Sequence, residues 1–111
     1  MKGEDIMSLI KREEIQAKVN KKGILMKTLV DHKDATVRNL LLEPNQSIPP
    51  HQVPVHVLFY VIEGQGSITI GDQSYAVKNQ DIVTCSPNTL MSVQASSTGL
   101  SFLNIKTPSL N

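Results

Sequence analysis

The chain has 111 residues, 40% of them hydrophobic, and 11 Lys and Arg against 10 Asp and Glu leave a formal charge of +1. That length suits one domain with a real buried core, and the charge balance removes the electrostatic basis for nucleic-acid binding. Cys85 is the one cysteine, so no intrachain disulfide exists; this fits a reducing compartment. The longest apolar run, 57–62, is far too short for a membrane span, and residues 1–5 carry mixed charge without the apolar stretch of a signal peptide. The expectation is a cytoplasmic protein without membrane contacts, starting at Met1 or at Met7.

The first 22 residues are the least regular. Ser8-Leu9-Ile10 reads as a short strand. Residues 11–18 carry helix formers, yet Ile15, Ala17 and Val19 alternate as a strand would, and both readings stand. Residues 1–22 are expected to form an extension packing on the rest of the chain or on a partner subunit, with 23–111 as the domain proper. Asn20-Lys21-Lys22-Gly23 is a turn. The lysines around it, Lys18, Lys21, Lys22 and Lys27, read as a solvated face, with a phosphate or acidic-ligand site as the alternative.

Beyond Gly23 the pattern is β throughout. Strands are expected at 24–30 and 36–43, separated by the polar turn Asp31-His32-Lys33-Asp34. Pro44-Asn45-Gln46-Ser47 breaks the second, and Ile48-Pro49-Pro50-His51 is kept extended by its prolines. In 55–63, Val57, Phe59 and Val61 share one face and Leu58, Tyr60 and Ile62 the other, which predicts burial on both sides. Glu63-Gly64-Gln65-Gly66 reads as a turn, 67–70 as a strand and Gly71-Asp72 as a tight hairpin. Further strands are expected at 74–78, 82–85, 90–95 and 100–106. Eight to ten short strands with turn signals roughly every 8–12 residues define an all-β sandwich or small barrel.

Residues 51–66, His-Gln-Val-Pro-Val-His-Val-Leu-Phe-Tyr-Val-Ile-Glu-Gly-Gln-Gly, resemble the first motif of the cupin superfamily, and 81–95 resemble its second. The resemblance spans residues 36–108 and is most specific over 60–66 and the hairpin at Gly71-Asp72. It implies a single-domain cupin-like jelly-roll β-barrel, often a homodimer in this family. Of the positions that hold metal in the family, His51 falls on the first His, Val53 on the second, Val57 on the Glu and Ser92 on the last His, placed after Pro87. Only His51 keeps its ligand. Val53 and Val57 have no lone pairs and Ser92 is a weak neutral donor, so the usual iron, manganese or zinc site is expected to be absent or rebuilt.

These residues support more than one function. A pocket lined by Val53, Val57, Phe59 and Met91, with His51, Ser92 and Gln94 as its polar groups, would bind a small molecule without metal. His51 would be its one group suited to proton transfer near neutral pH. The alternative is a metal-dependent enzyme of dioxygenase, isomerase or decarboxylase type with a site rebuilt on His51, His56 and Cys85. Simple alternation from Val57 turns His56 outward. A third reading is a dimer scaffold without a ligand. Arg38 is either surface or, facing inward, a carboxylate clamp. Cys85 reads as a small core residue, Glu63 as structural and His32 as solvated.

Overall fold

The computed structural model describes residues 8–110; the choice between Met1 and Met7 as start lies outside them. The described residues form eight strands: β1 (Lys18–Val19), β2 (Leu25–His32), β3 (Ala35–Leu42), β4 (Ser47–His51), β5 (His56–Ile70), β6 (Gln73–Lys78), β7 (Ile82–Cys85) and β8 (Met91–Thr107). All pairings are antiparallel. The all-β reading of the sequence holds. Among the described residues no helix is long and apolar enough to cross a membrane.

Two long strands organise the rest. The C-terminal part of β8 pairs with β3 and with the first part of β5, whose other edge carries β7. The N-terminal part of β8 pairs with β4 and with the last part of β5, whose other edge carries β6. One ladder, His56↔Thr107 through Ile70↔Met91, therefore belongs to two half-sheets. The larger is β1-β2-β3-β8-β5-β7 and the smaller β4-β8-β5-β6. The ladder slips between Val61 and Glu63 and between Gly64 and Gly66. The half-sheets fold toward each other at this crease and enclose the core.

Glycine makes the crease. Gly64 and Gly99 have φ of +83° and +81°. A Cβ on Gly64 would lie 2.2 Å from the Gly99 carbonyl oxygen, and one on Gly66 would lie 2.3 Å from the Gln94 carbonyl oxygen. No L side chain fits either place. Residues 63–66, expected as a turn, are thus a bulged bend inside a continuous strand. For the same reason 90–95 and 100–106, expected as two strands, are parts of one.

The apolar residues of one parity fill the interior. Val57, Phe59 and Val61 from β5 meet Leu100 and Phe102 from β8, Leu40 and Leu42 from β3, and Ile68, Met91 and Val93 from the smaller half. The Phe59 and Phe102 rings pack tilted at 52°, with centroids 5.5 Å apart, a favourable edge-to-face range. Leu58, Tyr60 and Ile62 are half-buried, so β5 is sealed on its inner side alone, contrary to the two-sided burial expected from its composition.

Before β1 the chain makes a short 3-10 turn at Arg12–Glu14, and residues 8–10 form no strand. Arg12 anchors this segment by donating from a guanidinium nitrogen to Asn39 Oδ1 at 2.9 Å, while Lys27 Nζ donates to the Arg12 carbonyl at 3.0 Å. β1 lies within residues 1–22 yet belongs to the sheet through its pairing with β2.

Gly64→Ala is expected to cost on the order of 3 kcal/mol, because positive φ and a backbone clash act together. Gly23→Ala, at φ +80° with nothing within 4 Å of the new Cβ, is expected to cost about 1–2 kcal/mol, from φ alone. Urea unfolding of both variants checks this; equal losses would remove the crease from the account.

Candidate functional site

A cavity of about 260 Å3 lies between the half-sheets. Met26 and Leu40 from β2 and β3, Phe59 from β5, and Ile48 and Val93 from the smaller half form its apolar wall. Arg38, Asn104 and Lys106 from β3 and β8, His51 from β4, and Asn20, Lys21 and Lys22 from the turn before β2 form its polar part.

Strand register explains these positions. Arg38 pairs with Asn104, and Asn104 with Phe59, so all three share a row across β3, β8 and β5. Lys106 lies two residues along β8 on the same face, a diagonal neighbour of Arg38 within reach of long side chains. Ile48 and His51, three residues apart, could not share a face in a regular strand. The irregularity between them, where Pro49 and Pro50 offer no N–H to the ladder, turns both inward. The lysine turn is built by Asn20, whose Oδ1 accepts from the backbone N–H of Lys22 at 2.9 Å and of Ile24 at 3.0 Å. Gln46 Nε2 donates to the Gly23 carbonyl at 3.2 Å and ties this turn to the chain leading into β4.

The site is electrostatically one-sided. Arg38, Lys106, Lys22 and Lys21 line the cavity, and no carboxylate does. Burial pushes the Lys106 amine below the ordinary lysine value, and the neighbouring Arg38 and Lys22 charges push it further. Burial likewise lowers His51, its bond to the Pro49 carbonyl opposes this, and Lys22 and Lys106 lower it again. His51 Nδ1 donates to that carbonyl at 3.1 Å, which leaves Nε2 as the unprotonated nitrogen of the neutral ring. Arg38 Nε donates a long bond, 3.4 Å, to Thr28 Oγ1. Asn104 is 8% exposed, and its side-chain amide has no hydrogen-bond partner among the described residues.

Of the residues expected to form the pocket, His51 and Phe59 line the cavity together. Val57 and Met91 are each 1% exposed and lie within the core without lining it, and Val53 packs half-buried against that core. Ser92 and Gln94 have the opposite parity to Met91 and Val93. Ser92 borders a small crevice with Pro50, Thr69 and Leu90. Gln94 is exposed on a broad open groove and donates to the carbonyls of Asn45 and Ala95 at 3.2 and 2.9 Å. Arg38 takes the inward alternative. Lys22 belongs to the lysine cluster whose acidic-ligand reading stood as the alternative. Asn104 and Lys106 carried no expectation; their shared parity with Leu100 and Phe102 was the available signal.

The residues that the resemblance sets at metal positions, as the structure places them, do not form a set of donors for a divalent ion. Val57 is sealed in the core, Ser92 faces outward, and His56 is exposed on the outer face of β5, away from the cavity that His51 lines. Among the described residues no three His, Cys, Asp or Glu side chains converge to hold a metal. Cys85 is buried, its Sγ donates to the carbonyls of Ser86 and Thr89 at 3.5 and 3.6 Å, and burial pushes its thiol pKa up; it is no reactive thiolate. Clustered cations at the cavity mouth would repel a metal ion further.

The half-sheets creased about two shared strands, with a cavity between them, define a cupin barrel. Residues 42–109 match the AraC-like ligand-binding domain family, and the chain belongs to it. In structure the chain is similar to KdgF from Halomonas sp. (TM-score 0.87, 16% identity, covering 96% of this chain and 97% of that one). It is also similar to an RmlC-like cupin from Shewanella frigidimarina (0.85, 12%, 94% and 93%). A predicted oxalate decarboxylase from Thermotoga maritima is a further structural relative (0.80, 19%, 91% and 99%). No curated protein matches the chain in sequence.

The His51 ring is expected to titrate below the ordinary histidine range of about 6.5, and Lys106→Met is expected to raise its midpoint by removing a facing charge. NMR titration of the ring protons checks both. Folding favours the neutral ring, so its contribution to stability is complete above about pH 6.5 and is lost as pH falls to the lowered folded value. A His51 midpoint unmoved in Lys106→Met would separate the two groups electrostatically.

Proposed function

We propose that this chain binds a small organic molecule in the barrel interior, without the metal site usual in cupins. The supporting observation is the cavity: it draws wall residues from both half-sheets, combines an apolar wall with a polar mouth, and lacks a set of metal donors. That composition is the ordinary one for a ligand pocket. Its volume, about 260 Å3, falls just under the common range of roughly 300–1,000 Å3 and suits a ligand of few heavy atoms. Membership of a family of ligand-binding domains supports the same reading.

Val93→Phe places a ring in this cavity, and Ile48→Phe does so from the neighbouring strand. Ligand-observed NMR with a fragment library of neutral, cationic and anionic compounds is expected to give hits on the parent chain in EDTA. Those hits are expected to vanish in whichever of the two variants retains parental circular dichroism. Hits that require added iron, manganese or zinc would favour a metal-dependent site instead. Hits indifferent to both substitutions would move binding out of the barrel.

A further inference from the structure

The chain as a whole is nearly neutral, with 11 basic and 10 acidic side chains. The cavity is not: four of those basic groups line it and none of the acids does. Buried or crowded charges in a finished structure are normally paired. Here Lys106 has no hydrogen-bond or ion-pair partner among the described residues, and the Nη groups of Arg38 have none either. A second observation is independent of charge. Asn104 stands between Arg38 and Phe59 in the cross-strand row, is 8% exposed, lines the cavity and has an unpartnered amide. Leaving such an amide buried and unbonded is costly.

One group would answer both observations together: a negative one, with oxygens that accept from a guanidinium, an amine and an amide at once, joined to an apolar body that lies on Phe59, Leu40 and Val93. We infer that the ligand of this cavity is a small organic oxyanion, a carboxylate with a compact apolar body, its oxygens held by Arg38, Asn104 and Lys106, with Lys22 above them on its turn. The inference rests on the reading of the cavity as a ligand site. Arg38 supplies the planar fork that matches a carboxylate; Lys106 and Lys22 add point charges. A phosphate monoester is the competing oxyanion for experiment to separate.

Affinities are to be measured by ligand-observed NMR and calorimetry for acetate, benzoate, succinate and phenyl phosphate, against acetamide, benzamide and benzylamine. At least one carboxylate is expected to bind tenfold or more tightly than its amide, to weaken with added salt, and to lose at least tenfold in Arg38→Met and in Lys106→Met. Arg38→Lys is expected to recover part of the loss. A merely structural cation would destabilise the fold when removed; Lys106→Met is instead expected to raise the unfolding midpoint of the ligand-free chain, because it relieves repulsion from Arg38 and Lys22. Phenyl phosphate binding without any carboxylate binding would overturn the carboxylate assignment. Neutral fragments that bind as well as their acids, blocked by Val93→Phe and indifferent to Arg38→Met, would overturn the inference and leave the cavity reading intact. No binding by any probe of any charge that Val93→Phe blocks would overturn both.

Discussion

At the crease, the Gly99 carbonyl oxygen lies 2.2 Å from the point a Gly64 Cβ would occupy, and a Cβ on Gly99 would itself lie 2.9 Å from the Leu42 carbonyl oxygen. Three backbones, from β5, β8 and the end of β3, therefore approach where no side chain intervenes. This contact lets β5 and β8 change direction without breaking their ladder, so two strands serve both half-sheets. A sheet that stayed open would leave Val57, Phe59, Phe102 and Met91 facing water. Folding it buries them almost completely, each contributing roughly 1.5–3 kcal/mol of transfer free energy. The cavity lies in that enclosed space, lined by residues of both half-sheets and by the lysine turn.

Local pattern made most strands legible, because burial on one face of a pleated strand leaves a period-two trace. Residues 82–85 and the hairpin at Gly71-Asp72 follow directly from it. The crease was not legible. Gly64 and Gly66 signal a departure from regular backbone, and a turn and a bulge use glycine alike; what separates them is pairing with Gly99, distant in sequence. The same limit applied to the site. Along 100–106 hydrophobicity favours an inward Leu103 and Ile105, yet register with β5 turns Asn104 and Lys106 inward beside Phe102. The polar mouth of a barrel inverts the usual alternation, and one strand read alone gives no sign of where the mouth begins. Ile48 and His51 met the same problem, since only the irregularity between them lets both face in.

The electrostatics of the cavity run against the arrangement that its scaffold usually supports. A metal site gathers neutral imidazoles and carboxylates around a cation. Here Val57, which the resemblance sets opposite the family's Glu, is sealed in the core, and the charged groups that line the cavity are cations. Lys106 and His51 are both lowered by burial and by facing positive charge. Burial is the larger cause, and beside it each added positive charge makes the next more costly, at separations where protein screens charge less well than water does. An anion in the cavity would offset the repulsion among these charges, which a neutral ligand would leave in place.

Two asparagines on adjacent strands separate the finished parts of this structure from the unfinished one. Asn39 is 0% exposed and faces away from the cavity. Its Nδ2 donates toward Ser101 Oγ at 3.0 Å and the Phe102 carbonyl at 3.1 Å, and its Oδ1 accepts from Arg12 at 2.9 Å. Every polar atom of that side chain has a partner, and the result is an anchor for the segment before β1. Asn104 is nearly as buried, faces the cavity, and bonds to nothing among the described residues. Residue type and burial are thus almost matched, and facing direction is what differs. A fold able to satisfy one buried amide so fully on its outer face has left the other open beside unpaired cations. The open amide and the unpaired charges share one cavity, and a single oxyanion would complete them all.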